Sequence, residues 1–242
     1  MGKNLVFVPE WHSTNSLAMD LGQRETAGDG TVVITDNQHS GRGQRGSRWV
    51  SEPGKNLTFS VVLKPNLRPD QLFIIAQTIA LGVADYVKTK TSGVKIKWPN
   101  DILVFDKKVC GILIESSLAG PVVQFVVAGI GLNVNQTEFD NPRATSLKTV
   151  TGNEFILNDE LNGLLHALEV RYLQWREGFA LTLRQDYHQF LYRAHEKREF
   201  KTNTHTFTGS IEQVDDQGRL AINTIQGIKL FEVKEIAFAD WA

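Results

Sequence analysis

Gly41-Arg42-Gly43-Gln44-Arg45-Gly46-Ser47-Arg48-Trp49 is where the chain concentrates anion-binding chemistry. Three glycines and three arginines fall within eight residues, and no acid follows until Glu52. Glycines let backbone N–H groups turn toward an anion and approach it closely. Arginines add permanently charged, planar forks that match phosphate or carboxylate. The stretch predicts an anion-binding loop; the plain alternative is a solvated basic turn. Its literal match to G-x-G-x-x-G carries little. A dinucleotide fold needs a helix directly after the glycines, and Trp49-Val50-Ser51-Glu52-Pro53-Gly54 does not start one. A kinase glycine loop would place valine where Arg48 stands, and no His-Arg-Asp or Asp-Phe-Gly motif follows.

A second group of residues lies further along: Lys97-Trp98-Pro99-Asn100-Asp101, then Lys107-Lys108-Val109-Cys110-Gly111-Ile112-Leu113-Ile114-Glu115. With Ser13-Thr14-Asn15 near the start, Gln38 before the loop and Gly129-Ile130-Gly131-Leu132-Asn133, the chain resembles the biotin protein ligases through essentially its whole length. That family carries a Gly-Arg-Gly-Arg-x-Gly-Arg-x-Trp loop, a Lys-Trp-Pro-Asn-Asp turn and a lysine before Gly-Ile-Leu. The motifs stand here in family order. Two positions depart from the pattern: Gln44 and Ser47 replace arginines, while Arg45 and Arg48 stand beside them.

The resemblance implies a two-step ligation. The biotin carboxylate attacks the α-phosphate of ATP, giving biotinyl-adenylate and pyrophosphate; a lysine of a biotin carboxyl carrier domain then takes the biotinyl group. It implies Arg42, Lys108 and Asp101 as catalytic residues. Arg42 would hold the carboxylate and phosphate, Lys108 would neutralise the charge building up between them, and Asp101 would orient or deprotonate the incoming lysine. It implies biotin contacts from Ser13, Thr14, Asn15, Gln38, Gly41, Arg42, Gly43, Gln44, Lys108, Gly111, Gly129 and Gly131. The ATP contacts it implies are Arg42, Arg45, Trp49, Lys108, Asn100 and Asn133. Mg²⁺ would share the phosphate charge, with no metal ligands assigned. The implied partner is the carrier domain of a biotin-dependent carboxylase. No nucleic acid or membrane is expected, and the protein would act as a monomer or homodimer.

Two other functions compete. A lipoate–protein ligase or octanoyltransferase would share the fold, but those lack the Gly-Arg-Gly loop, and the transferase needs a cysteine nucleophile. Cys110 has no histidine near it in sequence and reads as a buried apolar residue. A biotin sensor without ligase activity is the second; Arg42, Lys108 and Asp101 argue against it.

The elements that must position these residues follow from periodicity. Asn4–Val8 reads as a strand, and Ser13 or Thr14 can cap a helix carrying Leu17, Ala18 and Leu21 on one face. Strands are expected at Thr31–Asp36, Leu57–Leu63, Val94–Lys97, Ile102–Phe105, Val109–Ser116 and Val122–Ala128. Asp106-Lys107-Lys108 is expected as a hairpin turn. Pro69 sits near the first position of a helix with Ile74, Ile75, Ile79, Val83 and Val87 at helical spacing. A short helix should stop near Gly152. A longer one capped by Asn158 should end at Gly178, with one more helix through Leu183 and Phe190. Near His195 the period changes from 3.6 to 2, and short strands separated by Gly209, Gly218 and Gly227 follow. The fold class is α+β. A mixed-sheet catalytic domain over 1–194, resembling the biotin/lipoate ligase (class II synthetase-like) fold, precedes a small SH3-like β barrel over 195–242.

Composition is compatible with all of this. The 242 residues are 41% hydrophobic and 22% charged with a net charge of −1, which gives no global bias toward nucleic acid or membrane. Residues 196–242 carry six Lys/Arg and eight Asp/Glu, so they are no basic tail. One cysteine excludes an intrachain disulfide. Leu5-Val6-Phe7-Val8 is too short for a secretory h-region, and a cytoplasmic location is expected. Ser13 lies so near the start that a monofunctional ligase, without a preceding helix-turn-helix, is expected.

Overall fold

The computed structural model describes residues 1–241; the side chain of Arg45 lies outside the described set. β1 (Leu5–Trp11), α1 (Thr14–Gln23), β2 (Thr31–Gln38) and β3 (Leu57–Leu63) open the chain. After a 3-10 turn at Pro69–Gln71 come α2 (Phe73–Lys88), β4 (Val94–Lys97), β5 (Asp101–Val104), β6 (Lys107–Ala119) and β7 (Val122–Leu132). The short α3 (Leu147–Thr151), α4 (Leu157–Arg176) and α5 (Ala180–Phe190) follow. The chain ends in β8 (Lys197–Thr202), β9 (Thr206–Val214), β10 (Leu220–Thr224), β11 (Gly227–Phe231) and β12 (Ile236–Phe238).

The first seven strands form one mixed sheet in the order β1-β2-β3-β7-β6-β5-β4. Only β1 and β2 pair in parallel; the other neighbours are antiparallel. β3 reads Leu-Thr-Phe-Ser-Val-Val-Leu and is buried at every residue, as a central strand covered on both faces should be. α2 supplies the apolar cover on one face: twelve of its sixteen residues are buried. α1 packs on the other face through Ala18, beside Val33, Val62, Phe125 and Val127.

The last five strands form a second, antiparallel sheet ordered β11-β10-β9-β8-β12, which fits the expected SH3-like unit. β12 has no counterpart in the sequence reading; three residues are too few to show a period. The two sheets share one core, in which Trp98, Tyr187 and Leu191 meet Phe200, Ile211, Val214 and Leu220. Trp98 Nε1 also donates to Gly218 O at 2.9 Å, and the Trp98–Pro99 peptide is cis.

Three local expectations are corrected. Neither Ser13 nor Thr14 caps α1: Ser13 has the extended N-cap conformation, but no side chain accepts from the first turn. α4 begins at Leu157, so Asn158 lies inside it; Asp159 and Glu160 put negative charge at the helix's positive end without a cap at Asn158. The β5–β6 turn is Phe105-Asp106, both at positive φ (46° and 65°), as a tight two-residue hairpin requires. Lys108 is therefore in a strand, not in the turn.

Candidate functional site

The centre of the large sheet is a floor almost without side chains. Gly131 pairs with Thr58 on one side and Gly111 on the other. Gly129 pairs likewise with Ser60 and Leu113. Two side chains lie flat on this floor because no Cβ stands in the way. A Cβ at Gly131 would come within 2.3 Å of the Trp49 ring, and one at Gly129 within 2.1 Å of Asn15 Oδ1. Above the floor is a cavity of about 570 Å³, closed on its far side by the C-terminal sheet through Thr202, Ile236 and Phe238. A concave, mostly apolar site of this size with convergent polar groups suits a small-molecule ligand.

One wall is a buried polar network. Ser60 Oγ lies 2.6 Å from Asn15 Oδ1 and 2.7 Å from Thr14 Oγ1. The Thr14 N–H donates to Gln38 Oε1 at 2.8 Å. Asn15 Nδ2 donates to Glu115 Oε2 at 2.8 Å, and the same oxygen accepts from Arg42 Nη2 at 3.0 Å. Thr14, Asn15 and Ser60 are buried, so each polar atom must be paired there. The Thr14 hydroxyl, which the sequence offers as a helix cap, is spent on this network instead.

The opposite wall carries the charges. Pairing of β5 with β6 steps from Ile102–Cys110 to Leu103–Lys108, leaving Val109 over as a bulge. Strand side chains alternate, so without the bulge Lys108 would face away from Gly111, Leu113 and Glu115. With it, Lys108 joins their face: a Cβ at Gly111 would meet Lys108 Nζ at 3.1 Å. Lys108 Nζ lies 2.5 Å from Asp101 Oδ1 and 5.6 Å from the Trp49 ring centre. Its backbone is clamped by the neighbouring segment, Lys108 N donating to Arg143 O and Thr145 N to Lys108 O. Lys97 also lines the cavity, 4.5 Å from the Trp241 ring centre. Burial pushes the Lys97 ammonium below the usual lysine range; Lys108 and Arg143 push the same way against Asp101.

The glycine–arginine stretch forms a small hairpin over the cavity mouth. Gly43 N donates to Ser47 O at 2.7 Å and Trp49 N to Gly41 O at 3.0 Å, around a 3-10 turn at Gln44–Gly46. Gly46 sits at φ 84°, where a side chain would be strained. Arg42 and Arg48 are exposed. Trp49 Nε1 is buried and has no hydrogen-bond partner among the described residues, although its ring lines the cavity.

Of the expected site residues, Ser13, Thr14, Asn15, Gln38, Arg42, Gly43, Gln44 and Trp49 line this one cavity. So do Asn100, Asp101, Lys108, Gly111, Gly129 and Gly131. Gly41 does not; it closes the hairpin behind the cavity, where a Cβ would stand 2.2 Å from Trp49 O. Nor does Asn133, which is buried behind the wall and donates to Thr145 O at 3.0 Å. Its backbone N–H donates to the carbonyl of the bulged Val109, so Asn133 braces Lys108 from behind. The expected contact from Arg45 lies outside the described residues. Arg48, adjacent to Ser47, does line the cavity. Sequence reasoning missed Ser60, Glu115, Lys97 and Trp241 as site residues. Only Lys97 and Glu115 stood within quoted motifs.

Comparison with known proteins accounts for this arrangement. The Biotin/lipoate A/B protein ligase family model matches residues 8–133. The chain is 30% identical to the bifunctional ligase/repressor BirA of Bacillus subtilis, over 95% of this chain and 72% of that protein. It is 31% identical to the biotin–acetyl-CoA-carboxylase ligase of Paracoccus denitrificans, over 93% of this chain and 97% of that one. Among solved structures it resembles the biotin protein ligase of Aquifex aeolicus in complex with biotin and ATP. The TM-score is 0.79 at 27% identity, with 97% and 98% of the two chains covered. A family model spanning just over half of the residues, together with relatives that follow nearly all of them, places the chain in the biotin/lipoate A/B protein ligase family, among the biotin protein ligases.

Proposed function

We propose that the chain activates biotin with ATP and transfers it from biotinyl-adenylate to a lysine of a biotin carboxyl carrier domain. The observation that carries this reading is the convergence of Arg42 and the Lys108–Asp101 pair on a cavity whose other wall is the Thr14–Asn15–Ser60 network. A ureido ring has both donors and acceptors and needs such a wall when buried. A carboxylate approaching a phosphate needs cations between them.

In this reading biotin's ring lies against Thr14, Asn15 and Gln38, and its carboxylate points toward Arg42 and Lys108. The nucleotide lies toward Trp49, whose free N–H is a ready donor. Lys108 stabilises charge as the carboxylate oxygen bonds to the α-phosphorus and pyrophosphate leaves. In the second step the carrier lysine must lose a proton before it attacks the activated carbonyl. Asp101 is the carboxylate at hand, and its pairing with Lys108 holds both groups at the reaction centre. AMP leaves with the mixed-anhydride oxygen. Asn133 acts through the backbone of Lys108.

Among the described residues no cluster of three His, Cys, Asp or Glu side chains could hold a metal ion. Mg²⁺ therefore fits as an ion brought in on the phosphates, where it would offset their charge. Residues 1–194 are read as the catalytic unit and 195–242 as a cover that completes the cavity. Among the described residues no helix is long and apolar enough to cross a membrane, and the enzyme is read as cytoplasmic.

Pyrophosphate release on mixing the protein with biotin and ATP tests the ligase reading. Release with lipoate but not biotin would move the chain to the lipoate side of the family. Biotin binding without release would make it a sensor.

A further inference from the structure

Glu115 ends a motif that the ligase reading leaves without a role, yet its carboxylate joins the cavity's two halves. One oxygen, Oε2, accepts from Arg42 Nη2 at 3.0 Å and from Asn15 Nδ2 at 2.8 Å. Arg42 Nη2 also donates to Ser16 Oγ at 3.3 Å. A carboxylate can only accept, so Asn15 must turn its amide nitrogen toward Glu115. The carbonyl of Leu113, another pure acceptor, lies 3.3 Å from that nitrogen and fixes the same orientation. Asn15 Oδ1 then faces Ser60 Oγ at 2.6 Å, and Ser60 spends its single proton there. Across the 2.7 Å contact between Ser60 and Thr14, Thr14 is left as the donor. The Thr14 proton is thereby committed, and its oxygen has only lone pairs to offer a ligand. Gln38 Oε1 is a competing acceptor for that proton, but at 3.4 Å from Thr14 Oγ1 it is farther than Ser60 Oγ, and it already accepts from the Thr14 backbone N–H at 2.8 Å; with either partner the Thr14 proton is spent.

We propose that Glu115 is a positioning residue: it orders the chain Asn15–Ser60–Thr14 so that Thr14 meets the ligand as an acceptor, and it holds the Arg42 fork over the same site. The inference rests on the ligase reading and deepens it by assigning the direction of hydrogen bonding in the biotin wall. A ureido N–H is the group such an acceptor selects. The single charged acceptor ties ring recognition to the placement of the cation that meets the carboxylate.

The test compares Glu115→Leu, which removes the acceptor, with Glu115→Gln, whose amide oxygen can restore both hydrogen bonds without the charge. Both variants and the wild type are assayed for pyrophosphate release with biotin and ATP varied separately. Glu115→Leu should raise the KM for biotin roughly 10-fold or more, the scale of one buried unmatched polar group, and raise the KM for ATP by clearly less, through the loosened Arg42 fork alone. Glu115→Gln should recover most of the biotin affinity. A thermal melt separates this from loss of fold, since a merely structural role would lower stability without splitting the two KM values. An unchanged biotin KM in Glu115→Leu, or no recovery in Glu115→Gln, overturns the inference while leaving the ligase reading intact. Failure of the wild type to release pyrophosphate would remove both. If Glu115→Leu does not fold, Glu115→Gln alone decides: a biotin KM near that of the wild type supports the acceptor role, and a rise as large as that expected of the leucine variant refutes it.

Discussion

The two sides of the cavity are built on different principles. The wall of Thr14, Asn15 and Ser60 is almost fully buried, and its polar atoms satisfy one another across strands and a helix start. The loop from Gly41 to Trp49 is a hairpin of its own, with exposed arginines and few hydrogen bonds to the sheet. The first side is set before any ligand arrives and can discriminate by shape and hydrogen-bond direction. The second presents charge that stays hydrated until an anion displaces the water. Lys108 belongs to neither extreme: it is charged like the loop but anchored in a bulged strand like the wall.

That intermediate position makes Lys108 the site of the largest expected effect. Lys108→Ala should cut adenylate formation on the order of 100-fold or more, the usual cost of losing one group aimed at developing charge. Biotin affinity should stay close to that of the wild type, because the buried wall is untouched. Pyrophosphate release at saturating substrates, set against calorimetric titration with biotin, measures the two separately. A wild-type rate would remove Lys108 from the chemistry.

Ser60→Ala attacks the wall and should give the opposite pattern. It leaves Asn15 Oδ1 and Thr14 Oγ1 without their shared partner in a buried site. The cost is about 1–3 kcal/mol in stability and a weakened grip on biotin, with the KM for ATP unchanged. Thermal melts and biotin titration together check it. Equal losses for biotin and ATP would show that the two sides are not separable.

How far the sequence shows this comparison depends on where each residue's information lies. The loop is legible because Gly and Arg are unusual in such density. The strand cores are legible from their period, although β12 is too short to have one. Ser60 is not legible: within Leu57–Leu63 it reads as one small residue in an apolar run. The role of Lys108 follows from a family motif, but its placement in a strand depends on Phe105 and Asp106 taking the turn. Asn133 sits in a motif, yet what it braces is visible only when Val109 and Thr145 are brought beside it. Thr14 shows the same limit from the other direction. The local rule favours capping, and a distant serine overrides it.

The loop should show a smaller effect, in lability rather than in rate. Fixing glycines costs conformational entropy, and an arriving anionic ligand adds contacts to exposed arginines, of which Arg42 is held beforehand, among the described residues, by Glu115 and Ser16 alone. Trypsin cleavage at Arg42 and Arg48 should therefore slow when biotin and ATP are both present. Gly43→Val should shorten the lifetime of the bound adenylate. Its backbone, at φ −105° and ψ −174°, is open to valine, and the obstacle is Ser47 Oγ at 2.3 Å from the new Cβ. Equal trypsin sensitivity with and without ligands would mean that the loop is as fixed as the wall.

The smallest effect is expected at Cys110, the residue that separates this chemistry from acyl transfer through a thioester. It lies on β6 only two residues from Lys108, yet across the bulge, and its side chain is fully buried. Burial pushes its thiol well above the usual range, Asp101 adds to that, and the Lys108 charge opposes without prevailing. A thiol held in this way supplies no thiolate at neutral pH. The folded state resists ionising Cys110, so stability from this residue is unaffected below the ordinary thiol pKa of about 8.5. It falls as pH rises above that value, where only the unfolded chain can lose the proton. Iodoacetamide should leave the native protein unlabelled at mildly alkaline pH and label it fully in guanidinium. Cys110→Ala should release pyrophosphate from biotin and ATP as the wild type does, with a modest loss of stability from the small cavity. Rapid labelling of the native protein together with loss of ligation in Cys110→Ala would place a nucleophile on the strand that carries Lys108, and the contrast between the buried wall and the charged side would then no longer describe how this site works.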